Sequence, residues 1–145
     1  LTAYSDHSLA IAPNDTVENT LATIAIPSLP AGAMIRITHD WTIGTQGFQC
    51  FLRVYYGGQQ AWLYNLAAAD TTSVAMDAVV RIKATGAATQ RVLPTLNSFA
   101  GTSLNPATAL TVNGAVSQNI TVTCEKVVTG RTVELTSLTV EVITP

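Results

Sequence analysis

The sequence predicts an all-β domain, an antiparallel jelly-roll sandwich of two sheets and about eight strands. Three observations carry that expectation. Side chains alternate between apolar and polar along most of the chain, turn-forming residues punctuate the alternation, and no run keeps a helical period. The segment Met34-Ile-Arg-Ile-Thr-His-Asp-Trp-Thr-Ile43 is the clearest case. Ile35, Ile37, Trp41 and Ile43 take one parity, and Arg36, Thr38, Asp40 and Thr42 take the other. Successive strand side chains point to opposite faces, so this period marks one buried and one wet face.

In chain order, a short leading strand is expected at 8–12, closed by Pro13-Asn14-Asp15. Residues 1–15 otherwise read as an N-terminal arm or linker to a single domain spanning 1–145. Long strands are then expected at 16–26, 33–43, 48–56, 60–66, 74–84, 89–99, 118–127 and 132–143. The breaks between them are Pro27-Ser-Leu-Pro-Ala-Gly32, Gly44-Thr-Gln-Gly47, Gly57-Gly58, Ala69-Asp-Thr71, Thr85-Gly86 and Thr129-Gly130. Gly57-Gly58 is a tight hairpin signal, because glycine takes positive φ without steric cost. Parity names the inward rows: Cys50, Leu52, Val54 and Tyr56; Met76, Ala78, Val80 and Ile82; Ile120, Val122 and Cys124; Leu138, Val140 and Val142. Between Leu135 and Leu138 the parity shifts, which predicts a bulge at Thr136-Ser137. Residues 101–114 are aperiodic and read as an ordered surface loop. An immunoglobulin-like sandwich is the alternative with the same number of layers.

Composition narrows the function classes. Apolar residues make up 48% and charged residues only 11% of 145, against roughly 25% charged in ordinary soluble domains. Threonine occurs 22 times; it is β-branched yet bonds to water, which suits solvated strand faces. A surface so poor in charge implies that part of it meets another chain. The net charge is −2, and Arg36, Arg53, Arg81, Lys83, Arg91, Lys126 and Arg131 are scattered along the sequence. No basic arm is present to neutralise phosphates, so direct nucleic-acid binding is not expected. No apolar run approaches the ~18 residues of a membrane span, and no signal peptide is visible. The first residue is leucine rather than methionine, so any upstream segment lies outside this reading.

Catalytic and metal chemistry find little support. His7 and His39 are the only histidines and lack ligand spacing, so no cofactor or metal is expected. A histidine held by a hydrogen bond inside a sandwich is the simpler reading of His39. His39 and Asp40 are strand neighbours facing opposite ways and cannot act as a pair. No nucleophile elbow or phosphate-cradling glycine loop occurs, and the carboxylates are dispersed, so no enzyme is expected. Cys50 and Cys124 fall at core positions; a disulfide is conceivable if the sheets oppose them, and buried free thiols are the simpler reading. Trp41, Tyr55, Trp62 and Tyr64 remain as an interaction or glycan surface, since such a row can stack on sugars or contact another subunit. With Leu66 on the parity of Trp62 and Tyr64, packing is favoured over sugar; an exposed row would favour a glycan, a buried one assembly.

Several stretches resemble a known group. Ile11-Ala-Pro-Asn-Asp-Thr-Val-Glu-Asn-Thr20 leads to Ile24-Ala-Ile-Pro-Ser-Leu-Pro-Ala-Gly32, then come Ile35-Arg-Ile37 with Trp41, and Leu52-Arg-Val-Tyr-Tyr-Gly-Gly58. The chain closes on Leu138-Thr-Val-Glu-Val-Ile143. This pattern is similar to small Thr/Ala-rich virion proteins of tailed bacteriophages, over nearly the whole chain. The resemblance implies a structural jelly roll located on the virion, a homotrimeric capsid decoration protein that contacts a phage capsid or tail protein. Its alternative is a tail fibre or spike domain, or a carbohydrate-binding module recognising a host surface glycan. The missing initiator methionine fits either a disordered N-terminus or a module of a longer fibre.

Overall fold

The computed structural model describes residues 1–6, 10–44, 49–66, 74–97, 102–104 and 109–145. The strands are β1 (Thr2–Asp6), β2 (Ala10–Ile11), β3 (Glu18–Ile26), β4 (Met34–Ile43), β5 (Cys50–Tyr56) and β6 (Gln59–Leu66). They continue with β7 (Val74–Gly86), β8 (Thr89–Asn97), β9 (Thr102–Leu104), β10 (Ala109–Leu110), β11 (Gln118–Lys126) and β12 (Val133–Ile143). The eight long strands expected from alternation are all present, and the ends that fall among the described residues are displaced by at most two residues.

Two antiparallel sheets face each other. One runs β1-β12-β4-β7-β8-β10, with β2 also on β12; the other runs β3-β11-β5-β6-β9. The pairings nest: β1 with β12, β3 with β11, β4 with β7, and β5 with β6. That nesting of first with last, alternating between sheets, makes the sandwich a jelly roll rather than the immunoglobulin-like alternative. β8 and β10 extend one sheet beyond β7, and β9 extends the other beyond β6.

Two expectations need correction. Thr2–Asp6, expected as an arm or linker, is a strand in register with β12 from Thr2↔Val142 to Asp6↔Leu138. It closes the outermost nested pair. Within 101–114, expected as a loop, β9 pairs with β6 and β10 with β8. The leader at 8–12 reduces to β2, and its residues 8 and 9 lie outside the described residues, as do His7, the turn at 45–47, Phe48, the turn at 69–71 and Phe99.

The core follows from parity. Ile37, Leu52, Val54, Val80, Ile120, Val122, Leu138 and Val140 are all fully buried between the sheets. The rows Cys50–Tyr56, Ala78–Ile82, Ile120–Cys124 and Leu138–Val142 point inward, while the side chain of Met76 is not described. The register of β12 against β4 shifts between Leu135 and Ser137, at the expected bulge. At the β5–β6 turn, Gly57 and Gly58 have φ of 53° and 79°, the left-handed pair a two-residue hairpin of this type requires. A Cβ on Gly57 would sit 2.3 Å from Val112 Cγ1, so the β5–β6 turn is also packed under the segment after β10. Among the described residues, no helix is long and apolar enough to cross a membrane.

Candidate functional site

The four aromatics proposed as a surface do not form one. Trp41, Trp62 and Tyr64 are buried at 1%, 0% and 0% exposure, and only Tyr55 reaches the outside. The reason is parity: Trp41 shares the inward face of β4 with Ile37, and Trp62 and Tyr64 share that of β6 with Leu66. Inside, they build a seam between the sheets. Trp41 Nε1 donates to His39 Nδ1 at 2.7 Å, and the His39 ring meets Trp62 from the other sheet edge-on at 4.8 Å. Trp62 stacks on Tyr64 at 6.0 Å, with rings 14° from parallel. Burial pushes the His39 imidazole down to about 3, so it is neutral at physiological pH. A neutral imidazole accepting from an indole is a packing element, with no substrate-facing side. Asp40, its chain neighbour, points outward and accepts a hydrogen bond from Ser137 Oγ.

Cys50 and Cys124 are buried free thiols. They lie on adjacent strands of one sheet rather than opposite each other across the sandwich: Cys124 pairs with Leu52, and Cys50 with Lys126. Burial raises both thiols to about 12, which removes their nucleophilic form. Among the described residues, no three of His, Cys, Asp and Glu converge into a metal-holding group.

Tyr55 belongs to a cluster on the outer face of the five-stranded sheet. Tyr55 Oη donates to Glu18 Oε1 at 2.7 Å, and Thr123 Oγ1 donates to the same oxygen at 2.6 Å. Arg53 lies between Glu18 and Glu125, at 3.5 Å and 2.7 Å, with its guanidinium 5.2 Å above the Phe51 ring. Partial burial opposes ionisation of Glu18, but the bonds from Thr123 and Tyr55 and the charge of Arg53 outweigh it and lower its carboxyl. Tyr55 moves up to about 12, through desolvation first and then the bond to Glu18. Glu18, from edge strand β3, thus reaches over β11 to β5 and ties three strands together from outside.

Two features escaped sequence reasoning. Lys126 continues the inward parity of β11 and is 2% exposed, with Nζ 3.0 Å from the carbonyl of Arg131 and 3.4 Å from that of Ala12. It links the β2–β3 connection to the β11–β12 turn, and its place at the end of an apolar row was the available signal. The cations are also not scattered in space: Arg36, Arg81, Lys83 and Arg91, four of the seven, share the outer face of the seven-stranded sheet.

No known protein family matches the chain, and no curated protein is similar to it in sequence. Among solved structures, the chain overlays part of an infectious bursal disease virus Gt strain structure at 16% identity and a TM-score of 0.38, covering 98% of this chain and 42% of that one. For T=1 particles derived from the same virus, the figures are 15% identity, a TM-score of 0.33, and 99% and 40% coverage. The chain therefore spans about two fifths of the length of these structures, and the overlay is coarse. The jelly roll described above stands on the strands' own pairing.

Proposed function

We propose that this chain is a structural protein of a tailed-phage virion, a homotrimeric capsid decoration protein whose work is burying surface against its own copies and a capsid protein. The observation that carries the reading is the fate of the aromatic row. Trp41, Trp62 and Tyr64 are spent in the core, which removes that row as a platform for stacking on a glycan. What is left is the strand-and-turn resemblance to phage virion proteins, on a surface poor in charge. A fibre or spike module is the second reading, favoured by Tyr55 with its half-exposed ring.

Antibodies raised against the purified chain and visualised with gold on phage particles test this. Label on heads is the expected result, label on tail tips selects the fibre reading, and particles without label overturn both. The trimer has its own test. Apolar contacts make assembly nearly insensitive to salt, so light scattering at high ionic strength should return three times the chain mass. A monomer at micromolar concentration under those conditions would refute the trimer.

A further inference from the structure

The outer face of the seven-stranded sheet carries an arrangement that one chain does not explain. On β4 and β7, Arg36 lies directly opposite Arg81, and Asp40 directly opposite Asp77. Between these rows sits the pair Thr38↔Val79. On the next strand out, Lys83 lies opposite Arg91. Directly opposed like charges on an antiparallel pair destabilise it. Contacts within the chain moderate the repulsion without changing the pattern: Glu141 holds Arg36, Ser137 donates to Asp40, and Arg81 and Asp77 also have neighbours. In a chain with only 16 charged residues, three like-signed pairs on one face are a large share.

The pattern is complementary to itself. Both strands place the basic row and the acidic row four residues apart, about 13 Å at the rise of a strand. A two-fold axis lying in the face, perpendicular to the strands and through the Thr38–Val79 row, exchanges the two rows. We infer that this face docks on the same face of a second copy about that axis, with Arg36 and Arg81 of each copy over Asp40 and Asp77 of the other. Half-buried Val79 at the pivot and Leu93 beside Arg81 supply apolar contact. Such a contact is isologous, so each half supplies what the other needs. A polyanion suits the face less well, because the acidic row lies alongside the basic one and the chain's net charge is −2.

The inference deepens the assembly reading above, and salt separates the two. The apolar three-fold contact persists as ionic strength rises, whereas the paired faces let go. From about 0.01 M to about 1 M sodium chloride the screening length falls from about 30 Å to about 3 Å. Over that range, light scattering on the full chain should show the mass halving, from six copies to three. If the three-fold reading is wrong and this one right, the masses fall from two copies to one; a mass independent of salt refutes the paired faces.

Charge reversal gives the second arm. The variants R36D/R81D and D40R/D77R should each lose pairing by at least tenfold, because each presents four like charges to its own copy. Mixed together they should pair one to one, since an acidic face then meets a basic one. A milder R36Q/R81Q variant, checked for an unchanged circular dichroism spectrum, covers the case in which the reversals fold poorly and should also weaken pairing. Failure of the mixture to pair, with both variants folded, refutes the inference. So does retention of the wild type on immobilised single-stranded DNA that R36Q/R81Q loses while the wild-type mass ignores salt; the occupant would then be a polyanion.

Discussion

Arg53, on the outside of the five-stranded sheet, is flanked by Glu18 and Glu125, whereas on the outside of the seven-stranded sheet Arg36 faces Arg81 and Asp40 faces Asp77. The first face interleaves opposite charges, bridges β3, β11 and β5, and lowers the free energy of the chain that carries it. Glu18 and Glu125 are themselves directly opposed there, with Arg53 between them. On the second face the opposed pairs Arg36–Arg81 and Asp40–Asp77 have no counter-charge set between their members, and only Arg36 has an acidic strand neighbour, Glu141. Both rest on the same core and the same kind of pleated surface, so geometry does not account for the difference. Single-chain stability explains the first arrangement, and the second is the one that the proposed pairing of faces addresses.

Four perturbations sharpen that contrast. The largest acts beneath both faces: Val122→Asp places an unpaired charge at a fully buried position between the sheets and should cost about 4 kcal/mol or more, enough to prevent folding. A melting temperature within a few degrees of wild type would remove Val122 from the core. Trp62→Ala deletes the ring that meets His39 across the sandwich and stacks on Tyr64, and should cost about 3–5 kcal/mol in a denaturant titration.

Next comes the interleaved face. Arg53→Met, at a side chain 14% exposed, leaves Glu18 and Glu125 without their shared cation and should cost about 1 kcal/mol after allowance for solvent screening. The same cluster sets an acid limb. The Glu18 carboxyl is held below 4.5, so its contribution is complete above that pH and is lost as pH falls through its lowered folded value. Melting curves from pH 6 to pH 2 should show this limb in wild type and a shallower one in Arg53→Met; identical limbs would detach Glu18 from Arg53. The smallest effect has the opposite sign. Lys83→Glu turns a like pair with Arg91 into an attractive one and should raise stability by about 0.5 kcal/mol at low salt, with the gain fading as salt rises. A loss instead would mean that the like-charge pair costs the chain nothing.

Much of this architecture is legible in the sequence because period two survives any number of turns. The ends of the long strands, the inward rows and the bulge near Ser137 follow from which residues share parity with Ile37, Leu52 or Val140. β1 is not legible: Thr-Ala-Tyr-Ser-Asp is short, lies at a sheet edge, and takes its register from Val142 and its neighbours at the far end of the chain. The aromatic row is only partly legible, because Tyr55 takes the outer parity of β5 while Trp41, Trp62 and Tyr64 take inner ones. Parity says that Trp62 and Tyr64 point the same way, and it took the opposing sheet, with His39, to close over them. The charge rows were invisible for a related reason. Arg36 meets Arg81, and Asp40 meets Asp77, only once β4 and β7, from separate parts of the chain, are in register.

The nested pairing also fixes an order of events. β12 sits between β1 and β4, and β11 sits between β3 and β5. The strand that completes the middle of each sheet is therefore made after both of the strands it joins. Until then the strand pairings available are those among β4 to β10, and β1 and β3 wait with their hydrogen-bonding edges open. Contacts so distant along the chain make closure slow, and through that interval the nascent chain exposes strand edges that invite pairing with a neighbour's. A chain stalled before Gln118 should consequently be captured by chaperones or aggregate, while emergence of β11 and β12 converts it in one cooperative step.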